Sequence, residues 1–169
     1  MRCFIAIPPT SQASLELGQL QDLVLKQDPV GMAVPKENFH LTLAFIGELS
    51  QEKASWLAYD LSQIPFDLDH HWRIDRCGCF SKIGLFFASG AKNEYLNQVA
   101  RKTRELLEQH DISYDRKEFR PHVTLLRHSK LKTFLMPKSI DWLIQPPVLF
   151  KSVRNTNNVL RYIPVRVSL

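Results

Sequence analysis

Three cysteines in 169 residues, Cys3, Cys77 and Cys79, are too few and odd in number for a disulfide-stapled scaffold. Cys77-Gly78-Cys79 is tighter than a zinc-knuckle spacing, and no second pair completes a four-ligand site. The three are read as reduced thiols in or near strands, where free cysteine is commonly buried. Glycine is equally sparse, at six residues. No Gly- or Ser-rich linker divides the sequence, and no low-complexity tract interrupts it. No uninterrupted apolar run approaches the roughly 18 residues needed to cross a bilayer. The opening MRCFIAIPPT has a short apolar stretch but stops at two prolines. It lacks the longer apolar region and small-residue cleavage site of a signal peptide. It reads as the first β-strand of a cytoplasmic protein.

What is present is ordinary in bulk and uneven in detail. With 44% hydrophobic and 23% charged residues, the chain suits one soluble domain over residues 1–169 with a substantial core. The net charge is +5, but residues 1–60 carry four basic and seven acidic side chains, whereas residues 116–169 carry eleven and two. Such an excess describes partners rather than fold, and favours a polyanion such as RNA.

Residues 2–8 are β-branched and aromatic-rich and read as a strand. Thr10 or Ser11 caps a helix with Leu15, Leu20, Leu23 and Val24 near helical spacing. Phe39–Gly47 reads as a second strand after a turn at Gly31. A helix opening at Ser50 points Trp56, Leu57 and Leu61 at a core and closes at Pro65. Residues 66–79 read as one strand, with a turn at 80–83 and a returning strand at 84–88. Asn93 or Glu94 starts a polar helix with Leu96, Val99, Thr103 and Leu106 on one face. His122–His128 is another strand, and residues 148–153 and 159–167 form a closing hairpin. Strand, helix and motif strand thus recur twice. The predicted fold class is α+β: two related lobes of mainly antiparallel sheet with outer helices, in a bilobal pseudo-twofold arrangement around a central cleft.

The informative feature is a repeat. His40-Leu41-Thr42-Leu43 and His122-Val123-Thr124-Leu125 lie 82 positions apart. On a strand, residues i and i+2 share a face, so each motif presents His and Thr together and packs its aliphatics on the other side. Two such faces across a cleft suit phosphoryl chemistry. In-line displacement at phosphorus needs one group to take a proton from the nucleophile and another to give one to the leaving oxygen. Histidine, with an unperturbed pKa near 6.5, can do either. The neighbouring threonine hydroxyls can donate to non-bridging phosphate oxygens. Metal binding has less support, because no His-x-x-x-His, Glu-x-x-His or Cys pair stands near either motif. His70-His71 reads as a solvated edge or turn, His110 as the end of a helix, and His128 as a cleft-rim or exposed residue.

With those residues in view, the chain resembles the two-histidine phosphoesterase superfamily, and within it the bacterial RNA 2′,3′-cyclic phosphodiesterases, also called the 2′-5′ RNA ligase family. The likeness runs along essentially the whole chain, through RCFIAI, FHLTLAFIGEL, RPHVTLLR and the ending around Ser152 and Tyr162. It implies a bilobal fold, no cofactor and no metal. It implies that cyclic phosphates on RNA ends are opened to 2′-phosphomonoesters, with 2′-5′ joining as the reverse reaction. His40 is implied as proton donor and His122 as proton acceptor, with Thr42, Thr124 and Arg127 binding phosphate. Strict alternation sets Arg127 on the face opposite His122 unless the strand bulges. Arg120, Lys130 and Lys132 suit RNA backbone contacts, and Phe80, in an expected loop, could stack on a base. The implied partner is RNA with 2′,3′-cyclic phosphate ends, tRNA fragments included, met by a monomer away from membranes. Small cyclic nucleotides, ADP-ribose cyclic phosphate, or non-catalytic RNA binding are the alternatives. CGCFSKIGLFF departs most from the family pattern.

Overall fold

The Arg2–Ile7 strand (β1) buries Cys3, Ile5 and Ile7 in the main core, while Phe4 and Ala6 join a smaller apolar cluster on its other face. That alternation follows from the pleat. The computed structural model describes residues 1–167. After β1 come α1 (Ser11–Leu25), β2 (Met32–Ala33), a 3₁₀ turn at Lys36–Asn38, β3 (Leu41–Glu48) and α2 (Gln51–Gln63). Then follow β4 (His71–Ile74), β5 (Arg76–Phe80), β6 (Leu85–Ser89), α3 (Glu94–Gln109), β7 (Val123–Arg127), β8 (Ile140–Leu143), β9 (Val148–Arg154) and β10 (Leu160–Pro164). No helix among the described residues is long and apolar enough to cross a membrane.

One four-stranded sheet has the order β10-β9-β1-β3 and a second the order β2-β7-β6-β5, while β4 and β8 pair as a separate ribbon. All registered pairs are antiparallel. This is the α+β architecture of antiparallel sheets with three helices. Two of the three helices cross between sheets. α1 leaves the first sheet yet packs on β2 and β7 of the second, and α3 leaves the second yet packs on β3 of the first. α2 packs on β9.

The helix starts match their capping signals. The Thr10, Ser50 and Asn93 side chains accept from the backbone N–H groups of Ala13, Lys53 and Leu96, each satisfying a donor that a helix start leaves free. Several facings differ from expectation. The buried stripe of α1 is Ala13, Leu17, Leu20, Gln21 and Val24, whereas Leu15 and Leu23 are exposed. Leu57 and Leu61 of α2 are buried, but Trp56 is 62% exposed. In α3, Leu107 is fully buried alongside Leu96, Val99 and Thr103, while Leu106 is half-buried against the core edge. Leu23, Trp56 and Leu106 each lie one position from a buried residue, about 100° around the helix, and Leu15 lies two from Ala13 and Leu17.

Residues 66–79 form two strands, not one, because Asp75 breaks the run and β4 and β5 join different sheets. β2 and β8, with two and four residues, are too short to show a period in sequence. They exist because β7 and β4 offer them partners. His70 stacks on Tyr95 at 3.7 Å and His71 meets Asp141 at 2.9 Å, both near the surface. His110 caps α3 and meets Asp60 of α2 at 2.7 Å.

Candidate active site

Both motif histidines sit one residue before their strands, not within them: His40 precedes β3 and His122 precedes β7. Each is fixed the same way. His40 Nδ1 lies 2.7 Å from the Asn38 carbonyl oxygen, and His122 Nδ1 lies 2.6 Å from that of Arg120. A carbonyl only accepts, so Nδ1 carries the hydrogen in both rings. Nε2 is thereby left with its lone pair in each neutral imidazole.

His40, Thr42, His122, Thr124 and Arg127 line one cleft of about 1680 Å³ between the two four-stranded sheets. Aromatic rings hold both imidazoles. The ring of Phe4 lies 5.0 Å from His40, and Tyr162 meets it edge-on at 5.1 Å. Phe80 meets His122 edge-on at 5.2 Å, and Phe87 lies at 5.3 Å. Burial among these rings disfavours the charged form and pushes His40 down to about 4, helped by the positive ends of His122 and Arg127 and opposed by the Asn38 carbonyl. Burial also lowers His122, against the opposing pull of the Arg120 carbonyl.

Arg127 reaches the cleft because β7 is bulged. Thr124 pairs with Phe87 and Leu126 with Phe86, so Leu125 is an extra residue. The alternation slips by one there: Leu125 and Leu126 are both buried, and Arg127 emerges on the His122 side. β3 repeats the device. Thr42 pairs with Ala6 and Ala44 with Ile5, leaving Leu43 extra. Leu43 and Ala44 are both buried, and Phe45 emerges into the cleft, 56% exposed. Phe45 and Arg127 thus occupy matching places, five residues after each histidine.

At each bulge the carbonyl of the extra residue accepts from a helix that has crossed from the other sheet, and that of Leu125 accepts from the Val34 N–H at 3.0 Å as well. Gln21 of α1, itself 1% exposed, donates through Nε2 to the carbonyls of Leu125 at 2.9 Å and Val34 at 2.8 Å. Arg104 of α3 donates through Nε to the Leu43 carbonyl at 3.2 Å. The motifs therefore share a bulge, a side-chain donor from a helix and a carbonyl-anchored histidine. That is the physical content of the twofold repeat.

The sheets differ around the histidines. Asn38, 4% exposed, donates to the Leu160 carbonyl at 2.8 Å and accepts from the Tyr162 N–H at 3.4 Å, tying β10 to the His40 side. Arg120 is exposed and pairs with Glu118 at 3.4 Å. Phe80 is the last residue of β5 rather than a loop residue. Lys130, Lys132 and His128 do not line the cleft, whereas Arg120 does. Asn38 and Gln21 carried no sequence signal, being single polar residues outside any motif. Among the described residues, no group of three His, Cys, Asp or Glu side chains could hold a metal ion.

The family model described as LigT like Phosphoesterase matches residues 7–86, which include the first motif. Over that stretch the chain is similar to the LigT-like phosphoesterases. Three similar proteins bear the name RNA 2′,3′-cyclic phosphodiesterase. The Geobacillus stearothermophilus protein is 28% identical over 145 residues, covering 81% of this chain and 45% of its own length. That of Aeropyrum pernix is 30% identical over 117 residues, covering 66% and 65%. The Escherichia coli protein is 30% identical over 116 residues, covering 66% and 64%. The chain therefore spans less than half of the first relative and just under two thirds of the other two. The fold of this LigT-like chain matches the crystal structure of E. coli LigT complexed with 3′-AMP at a TM-score of 0.81, with 24% identity over 98% of this chain and 95% of that one. Thermus thermophilus TT0787 matches at 0.77, with 23% identity over 98% and 96%.

Proposed function

We propose that this LigT-like chain hydrolyses 2′,3′-cyclic phosphates at RNA ends to 2′-phosphomonoesters. The observation that carries the reading is the pair of imidazoles lining one cleft, each with Nδ1–H tied to a backbone carbonyl and Nε2 left for substrate. The shared name of its relatives supports the substrate class. The cleft volume supports RNA over a small cyclic nucleotide, since about 1680 Å³ exceeds the roughly 300–1,000 Å³ of a typical small-molecule pocket.

In this reading His122 Nε2 takes a proton from water as the water oxygen attacks phosphorus. The bond from phosphorus to the ribose 3′ oxygen breaks, and His40 Nε2–H gives that oxygen its proton. The 2′ ester bond stays. Thr42 and Thr124 hydroxyls donate to the non-bridging oxygens, and Arg127 balances their charge. His40 is neutral in the empty cleft, because its pKa lies near 4. An anionic phosphate between the rings favours the imidazolium, so the donor's proton arrives with the substrate. With an RNA 5′-hydroxyl in place of water, the same displacement gives 2′-5′ joining: His122 takes the proton of that hydroxyl, the bond to the 3′ oxygen breaks, and His40 protonates it. Residues 1–169 act as one unit and as a monomer, since each sheet supplies half the set.

The roles are tested by replacing the 3′ oxygen of the cyclic phosphate with sulfur, which leaves without a proton. His40→Ala should regain most of its lost rate on this substrate, while His122→Ala stays slow. Recovery of His122→Ala alone would reverse the assignment, and full activity of both variants on the oxygen substrate would refute the function.

A further inference from the structure

The cations of the cleft fall into two groups. Arg104 is committed to the carbonyls of Leu43 and Lys117, Lys117 pairs with Asp115 at 3.7 Å and Arg120 with Glu118 at 3.4 Å. Arg2 and Arg154 on the first sheet differ, as does Lys82 between β5 and β6 on the opposite side: all three are exposed and line the cleft, and none meets a carboxylate among the described ion pairs. Glu48, opposite Arg2 across β1 and β3, is taken by the N-terminal ammonium at 3.1 Å. Arg154 spends one N–H on the Asn158 carbonyl at 2.9 Å.

Their place on the sheet gives them a direction. β1 turns Arg2, Phe4 and Ala6 to one face, and Ala6 is the partner of Thr42. Arg2 therefore stands four residues, roughly 13 Å, along the strand from the phosphate-binding end. The β1–β9 register pairs Cys3 with Lys151 and Phe4 with Phe150. One further step brings Arg2 beside Ser152, whose own partner is Tyr162, and Arg154 lies one pleat beyond, opposite Leu160. A hydroxyl and two guanidinium groups thus lead away from His40 across the open face of the first sheet. A cyclic mononucleotide has a single phosphate, which the histidine site would occupy. A longer strand has another to offer at this distance.

We propose that the face of β1 and β9 bearing Arg2, Ser152 and Arg154 is a track for the phosphates of single-stranded RNA upstream of the reacting end. This rests on the reading of the cleft as a site for RNA ends. The track positions substrate without reading sequence, because its donors address phosphates and not bases.

Binding is measured by fluorescence anisotropy with a labelled single-stranded RNA of about six nucleotides ending in a 3′-phosphate, from 50 to 300 mM salt. Turnover plays no part in this assay, so its result stands apart from that of the function assay. Each phosphate contact on a single strand contributes about 0.7 to the slope of log affinity against log salt. The double variant Arg2→Gln, Arg154→Gln should lower that slope by about 1.4 and weaken binding several-fold at the lowest salt. Arg2→Lys, Arg154→Lys should restore the slope, which excludes damage to the fold as the cause. The control Lys130→Gln, Lys132→Gln removes the same charge outside the cleft and should leave the slope unchanged. An unchanged slope in the Arg2→Gln, Arg154→Gln protein, or an equal drop in the control, would overturn the track.

Discussion

Lowering the pH should destabilise this protein through His40, and replacing that residue should remove the effect. His40 has a pKa of about 4 in the fold, against about 6.5 unfolded. Between those values the unfolded chain binds a proton that the folded chain does not, so stability rises with pH across the window and is lost as pH falls. Above pH 6.5 both states hold a neutral ring and the contribution is complete. From pH 7.5 to 4.5 the two-pKa expression gives a loss of about 2.5 kcal/mol. Solvent at the partly exposed ring reduces this to ~2 kcal/mol. With a urea m-value of about 2 kcal/mol/M, the midpoint should fall about 1 M further in the wild-type protein than in His40→Asn over that range. His122→Asn should show the same sign, because burial lowers His122 too. Equal midpoint shifts in wild type and His40→Asn would refute the argument that the cleft strips the ring of water.

Two further predictions follow from the packing. Gln21→Leu takes the side-chain donor from the Val34 carbonyl and leaves the Leu125 carbonyl with the Val34 N–H alone, and should cost about 1–3 kcal/mol of stability. It should also loosen the bulge behind Arg127, raising KM, so that Arg127→Gln raises KM less in the Gln21→Leu background than in wild type. Independent effects in that double-mutant cycle would sever Gln21 from the site. Ser50→Ala removes the cap of α2, on the sheet face away from the cleft, and should lower stability by about 1 kcal/mol. Thermal unfolding and initial rates together check it: a fall in Tm with turnover intact is expected, and a change in kcat would show that α2 touches the chemistry.

The parts of the fold written in local pattern were legible, and those decided by pairing were not. Thr10 and Ser50 announce their helices because capping is a contact within one turn. The closing hairpin is visible because β9 and β10 are close in sequence. β2 and β8 are invisible because their reason for being extended lies in β7 and β4, far along the chain. Trp56 was misplaced because an apolar ring at helical spacing says nothing of whether a partner sheet extends far enough to cover it. The two His-x-Thr pairs stood out as a repeat, and the structure brings both into one cleft with Arg127. The bulge that swings Arg127 there could be named only as a condition, since it depends on the register against Phe86 and Phe87. Asn38, Gln21 and Arg104 escaped because their work is to satisfy carbonyls brought near by tertiary folding.

The most direct test of the central claim is to incubate the protein, with EDTA present, with a short RNA ending in a 2′,3′-cyclic phosphate, and to identify the product for wild type, His40→Ala and His122→Ala. Wild type should yield a 2′-phosphomonoester, and kcat should be lower by about 10²–10⁴-fold in each variant. A 3′-phosphomonoester, dependence on added metal, or undiminished turnover after loss of either imidazole would contradict that claim.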